Sequence, residues 1–123
     1  MAKRILVVDD ENDARMFVKL LLENSGFKVV AAPGGKEALK ILKKEKFNLV
    51  LIDFFMPKMS GRVLLKKIRA DNKLKKIKCV FLTVADFPKI GLDMLKKIGI
   101  SDYIKKPFDN EDILKRVKKI IGN

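Results

Sequence analysis

Leu49-Val50-Leu51-Ile52-Asp53, running on into Phe54-Phe55-Met56-Pro57-Lys58-Met59-Ser60-Gly61, decides the fold. Four consecutive branched apolar residues without polar alternation read as a strand covered on both faces, the habit of parallel sheets. Asp53 follows at once, so a carboxylate stands at the mouth of a buried strand. The same event occurs earlier, where Ile5-Leu6-Val7-Val8 meets Asp9-Asp10. Two strands thereby carry three carboxylates to one end of a sheet.

Runs suited to buried strands lie at about residues 4–8, 28–32, 48–52, 78–82 and 101–104, and the segments between them have helical spacing. Ala14, Phe17, Val18, Leu21 and Leu22 share one face of the first helix, which Gly26 ends. Ser60-Gly61 opens the third helix, and Ile113, Val117, Ile120 and Ile121 line the last. Five βα units predict a flavodoxin-like, doubly wound parallel sheet of order 2-1-3-4-5 with helices on both faces. Such sheets bind ligands beyond the C-terminal strand ends, where the strand order reverses. That point lies between strands one and three, the two that end in aspartate.

Composition narrows the chemistry. The 123 residues suit one domain over 1–123, with apolar runs far too short to cross a bilayer. No h-region follows Met1, and Cys79 has no intramolecular partner, so a cytoplasmic protein without membrane insertion is expected. Cys79 reads as a small buried hydrophobe. The net charge of +13 is spread along the chain as lysine pairs, which argues for a solvated surface and acidic partners rather than for nucleic acid. Histidine is absent, which removes a phosphohistidine, a His general base and a His-ligated zinc.

Neighbouring strands lie about 4.8 Å apart, so aspartates at their ends can approach closely. Two unit charges about 4 Å apart repel by about 4 kcal/mol at an effective dielectric near 20. Either one group keeps its proton or a cation sits among them. With oxygen ligands only, the expected ion is magnesium, with manganese or calcium after it. Taken singly, Asp9-Asp10 would serve as a helix cap and Asp53 as a turn residue before Pro57. Their pairing at one edge favours a site. Thr83 and Lys106 end two further strands and add a hydroxyl and an ammonium, the groups that hold a phosphoryl. Asp53 would then be the nucleophile, forming an acyl phosphate.

On these segments, together with Gly35-Lys36-Glu37-Ala38-Leu39 and Asp102-Tyr103-Ile104-Lys105-Lys106-Pro107-Phe108, the chain resembles the receiver domains of two-component response regulators over nearly its whole length. The resemblance implies that Asp53 is the phosphoacceptor. It implies magnesium held by the side chains of Asp10 and Asp53, the backbone carbonyl of Phe55, and Asp9 through water. Thr83 and Lys106 would bind the phosphoryl oxygens, Thr83 and Tyr103 would form the switch, and the Lys106–Pro107 peptide would be cis. A histidine kinase or phosphotransfer protein would donate the phosphoryl group. The fourth helix, fifth strand and fifth helix, with Ile90, Met94, Lys97, Tyr103 and Lys115, would meet an unidentified downstream protein. Arg15 and Phe17 on the first helix would meet the kinase. The chain would catalyse only its own phosphorylation and dephosphorylation.

Phe55 and Val84 depart from the family, which often has a polar residue at the first position and a small one at the second. Both are expected to exclude water and to slow hydrolysis of the acyl phosphate. Three other readings remain: a receiver-like adaptor that works without phosphorylation, a flavodoxin-like cofactor protein, and an aspartyl-nucleophile phosphatase. Asp9-Asp10-Glu11-Asn12-Asp13 would repel a cofactor phosphate, and Phe55 stands where such a phosphatase has a second Asp. No DNA-binding segment follows the fifth helix, so output is expected through protein contact, unless the chain is part of a longer regulator.

Overall fold

The computed structural model describes residues 2–84 and 86–122. Strand and helix alternate five times: β1 (Arg4–Val8), α1 (Asn12–Glu23), β2 (Lys28–Ala32), α2 (Gly35–Lys44), β3 (Leu49–Asp53), α3 (Gly61–Ala70), β4 (Lys78–Thr83), α4 (Lys89–Ile98), β5 (Asp102–Lys105) and α5 (Asn110–Ile121). All strands are parallel, in the order β2-β1-β3-β4-β5. The five strand positions and the strand order match the sequence reading to within about one residue.

Alternation along each strand builds two cores. Leu6, Val8, Val50, Ile52, Cys79 and Phe81 face α2, α3 and α4. Ile5, Val7, Leu49, Leu51, Val80 and Leu82 face α1 and α5 through Val18, Leu22, Ile113 and Val117. Double coverage explains why β1, β3 and β4 read as unbroken apolar runs. Cys79 is fully buried, and burial pushes its thiol up to about 11, in keeping with a packing role.

Phe17 departs from the expectation for α1: it is 49% exposed, while Val18 and Leu22 are buried. The stripe that reaches the sheet is narrower than the full set of apolar residues, and the Phe17 ring leans instead on Phe108, 6.4 Å between centroids. Arg69, near the end of α3, ties three segments together. Its guanidinium donates to the carbonyls of Gly99 at 2.6 Å and Ile77 at 2.6 Å, and to that of Lys75 at 3.1 Å. Among the described residues no helix is long and apolar enough to cross a membrane.

Candidate functional site

β1 pairs with β3 in the register Val8↔Ile52, so Asp9 and Asp53 leave the sheet side by side. One carboxylate oxygen from each of Asp9, Asp10 and Asp53 lies within 4.8 Å of the other two. Asp9 is 2% exposed, Asp53 half-buried and Asp10 exposed. Both oxygens of Asp9 are engaged: Oδ1 accepts the Glu11 N–H at 3.0 Å, and Oδ2 accepts from Lys106 Nζ at 3.1 Å. Asp9 thus shapes the turn into α1, while Glu11 takes the N-cap position without a side-chain cap. Arg15 fixes the same turn by donating to the Asp9 carbonyl at 2.7 Å.

Burial pushes the Asp53 carboxyl up to about 6, and the charges of Asp9 and Asp10 act in the same direction. The Lys106 ammonium, 4.0 Å from Asp53 Oδ1, and the Phe55 backbone N–H oppose that rise. The repulsion expected from sequence is therefore present, and one lysine relieves it only in part. The donor set is all oxygen and rich in negative charge, which fits a hard divalent cation.

β4 and β5 bring the remaining groups. Asp53 pairs with Leu82 in the sheet, so Thr83 is the next residue along the neighbouring strand, and it is completely buried. The Lys106 N–H donates to the Thr83 carbonyl at 2.7 Å, which fastens the end of β5 to that of β4, and the Lys106–Pro107 peptide is cis. The segment after Asp53 folds back on itself: Lys58 adopts φ 68°, the Gly61 N–H donates to the Phe54 carbonyl at 2.9 Å, and Ser60 Oγ accepts the Val63 N–H at 3.3 Å. A Cβ on Gly61 would stand 2.6 Å from the Asp53 carbonyl oxygen, so only glycine lets α3 begin this close to the site.

A family model described as the response regulator receiver domain matches residues 5–118. The chain belongs to this family. Two relatives illustrate the likeness of this receiver domain to others. The alkaline phosphatase synthesis transcriptional regulatory protein PhoP of Bacillus subtilis is 36% identical over 98% of this chain and 49% of its own length. The chemotaxis protein CheY-3 of Vibrio cholerae is 38% identical over 95% of this chain and 90% of its own. The chain spans about half or less of several such relatives, down to 17% of the sensor kinase/phosphatase CqsS of Vibrio cholerae. Among solved structures, Vibrio cholerae chemotaxis protein CheY4 superposes with a TM-score of 0.91 at 29% identity, covering 98% of this chain and 99% of that one. A response regulator from Thermotoga maritima gives 0.85 at 34% identity, with both chains fully covered.

Receiver domains are signalling modules of two-component systems that bind Mg2+ through an acidic cluster, and Asp9, Asp10 and Asp53 form such a group here. Tyr103, on β5, is half-buried, with its ring edge-to-face against Phe87 at 5.2 Å. Phe87 in turn meets Phe54 edge-on at 5.1 Å, and Phe54 touches both Phe55 and Phe81. The sequence reading missed Phe87. The only signal for it was an aromatic followed by proline just after a strand, which reads equally well as a loop.

Phe55 and Val84 differ from what their apolar character suggested. They are 56% and 64% exposed, so they stand at the rim of the site instead of covering it. Val84 is open to solvent, whereas the Phe55 ring leans on Phe54 at 5.1 Å.

Proposed function

We propose that residues 1–123 act as one phosphorylation-controlled receiver domain in which Asp53 accepts a phosphoryl group from the histidine of a kinase or phosphotransfer protein. The observation that carries this reading is the Asp9–Asp10–Asp53 cluster facing the Lys106 ammonium, with Thr83 buried at the next strand end. An Asp53 oxygen attacks phosphorus while the bond to the donor's imidazole nitrogen breaks, giving an aspartyl phosphate. Residues 1–123 hold no histidine, so a phosphohistidine donor lies outside them.

Asp10 and Asp53, with the Phe55 carbonyl, would hold Mg2+; Asp9, whose oxygens are already bonded to Lys106 and Glu11, would contribute charge indirectly. The ion would neutralise charge on the transferring group. Lys106 stands within reach of Asp53 and would turn from Asp9 to a phosphoryl oxygen, and the Thr83 hydroxyl would donate to another. Tyr103, through Phe87, would follow that movement and alter the face formed by α4, β5 and α5 for a downstream protein. Among the apolar side chains of α4, Ile90 and Met94 are exposed.

The test is intact mass after incubation with a small phosphodonor and Mg2+. The expected result is one phosphoryl added to the wild type and none to Asp53→Asn. No addition from any donor or kinase would support the phosphorylation-independent adaptor instead.

A further inference from the structure

Helices of a parallel doubly wound sheet run antiparallel to its strands, so their C-termini gather at the edge opposite Asp53. The lysine excess is concentrated at that edge. α2, α3, α4 and α5 each carry two cations in the last turn, as in Lys43 and Lys44 of α2. Complementing the helix dipole accounts for cations there. It does not account for Lys46, Lys73, Lys75 and Lys76, which are exposed in the loops of the same edge.

Between the end of α2 and the loop that joins α3 to β4 lies a groove of about 400 Å³. Leu42, Phe47, Leu74 and Ile77 form its apolar part, and Lys43, Lys44, Lys46 and Lys73 its rim, which also carries Glu45. Among the described residues none of these four lysines is in an ion pair. The nearby acids are already engaged. Glu45 pairs with Arg4, and Asp71 accepts the Lys73 backbone N–H at 2.8 Å. An apolar cleft ringed by unpaired cations complements a chain that carries both carboxylates and an apolar side chain.

We propose that this groove docks an acidic peptide segment of a partner protein, with one apolar side chain seated against Leu42, Phe47 and Leu74 and its carboxylates on the lysine rim. Nucleic acid fits less well. The arginines of this edge, Arg4 and Arg69, are committed to Glu45 and to backbone carbonyls, and Arg4 lies over the Phe47 ring at 4.8 Å, where a base would stack. A phosphodiester backbone would also leave the apolar part unfilled. The surface lies across the molecule from Asp53, so the inference stands apart from the phosphorylation reading.

A labelled synthetic peptide of Asp and Glu residues around one Phe, titrated into the full chain at low ionic strength, tests this by anisotropy and by amide shifts. Saturable binding is expected, with shifts confined to residues 42–47 and 71–77. Affinity should fall about tenfold in the double variant Lys43→Glu, Lys73→Glu, and similarly for a peptide with Ser in place of Phe. The variant should stay folded, melting only a few degrees lower because Lys43→Glu removes a cation from the C-terminal turn of α2, and take up phosphoryl as before. Four outcomes would overturn the proposal: no saturable binding, equal binding of the Ser peptide, equal loss in a Lys118→Glu, Lys119→Glu control, or tighter binding of duplex DNA or anionic vesicles than of the peptide.

Discussion

Lys106 Nζ donates to Asp9 Oδ2 at 3.1 Å and stands farther, 4.0 Å, from Asp53 Oδ1. The ammonium therefore serves first to neutralise the more deeply buried carboxylate. Replacing it with methionine would leave Asp9 buried and unpaired beside two other carboxylates. Lys106→Met is expected to cost about 2 kcal/mol, below the usual figure for a broken buried pair because the lysine is partly solvated. Urea denaturation in the presence of a chelator measures this. The same variant should bind Mg2+ more tightly, since the competing cation has gone.

The raised Asp53 carboxyl makes stability depend on pH. Between its ordinary value of 3.8 and the folded value of about 6, the folded state holds a proton that the unfolded state has released. The stabilisation is full below the lower value and is lost as pH rises through about 6. Relative to Asp53→Asn, the wild type without divalent ions should lose about 1 kcal/mol between pH 5 and pH 7.5. Mg2+ at pH 7.5 should raise the melting temperature of the wild type and leave the variant nearly unchanged. Parallel pH profiles for the two proteins would show that Asp53 is not the titrating group.

Lys58 holds φ 68° in the turn after Asp53, a conformation that costs an ordinary L-residue about 1–2 kcal/mol. Its side chain is exposed, so substitution acts on the backbone alone. Lys58→Asn should stabilise by about 0.5 kcal/mol in urea denaturation, and Lys58→Val should destabilise by more than that.

Gly61→Ala tests the closeness of α3 to the site. The added methyl would meet the Asp53 carbonyl oxygen and the Phe54 Cα, both backbone atoms that cannot swing aside. A loss of about 2 kcal/mol or more is expected. Because the clash falls on the residue that carries the nucleophile, Mg2+ affinity should fall as well, and a titration of the folded variant would detect it.

The strands and the acidic cluster were legible because each depends on neighbours in sequence: an unbroken apolar run gives a covered strand, and its terminal aspartate is carried to the edge with it. Thr83 and Lys106 were legible for the same reason. What escaped were contacts set by side-chain direction between distant segments. Nothing adjacent to Arg69 shows that it will bind the carbonyls of Gly99 and Ile77, and nothing near Phe87 shows that its ring will bridge Phe54 and Tyr103. The exposure of Phe55 and Val84 escaped too, since apolar character was read as cover.

That exposure changes the argument for a long-lived aspartyl phosphate without removing it. At the rim, neither side chain shuts water out by burial. A phenyl ring and a branched alkyl group nevertheless offer an approaching water no hydrogen bond, so the attacking molecule must orient itself unaided. Phe55→Asn would supply an amide that can hold such a water, and Val84→Ala would open the approach beside Thr83. Each change should shorten the lifetime of the phosphorylated protein, the pair by about tenfold or more. Intact-mass decay after removal of the phosphodonor measures it, with Mg2+ held constant. Decay rates unchanged in both variants would show that the rim does not govern hydrolysis.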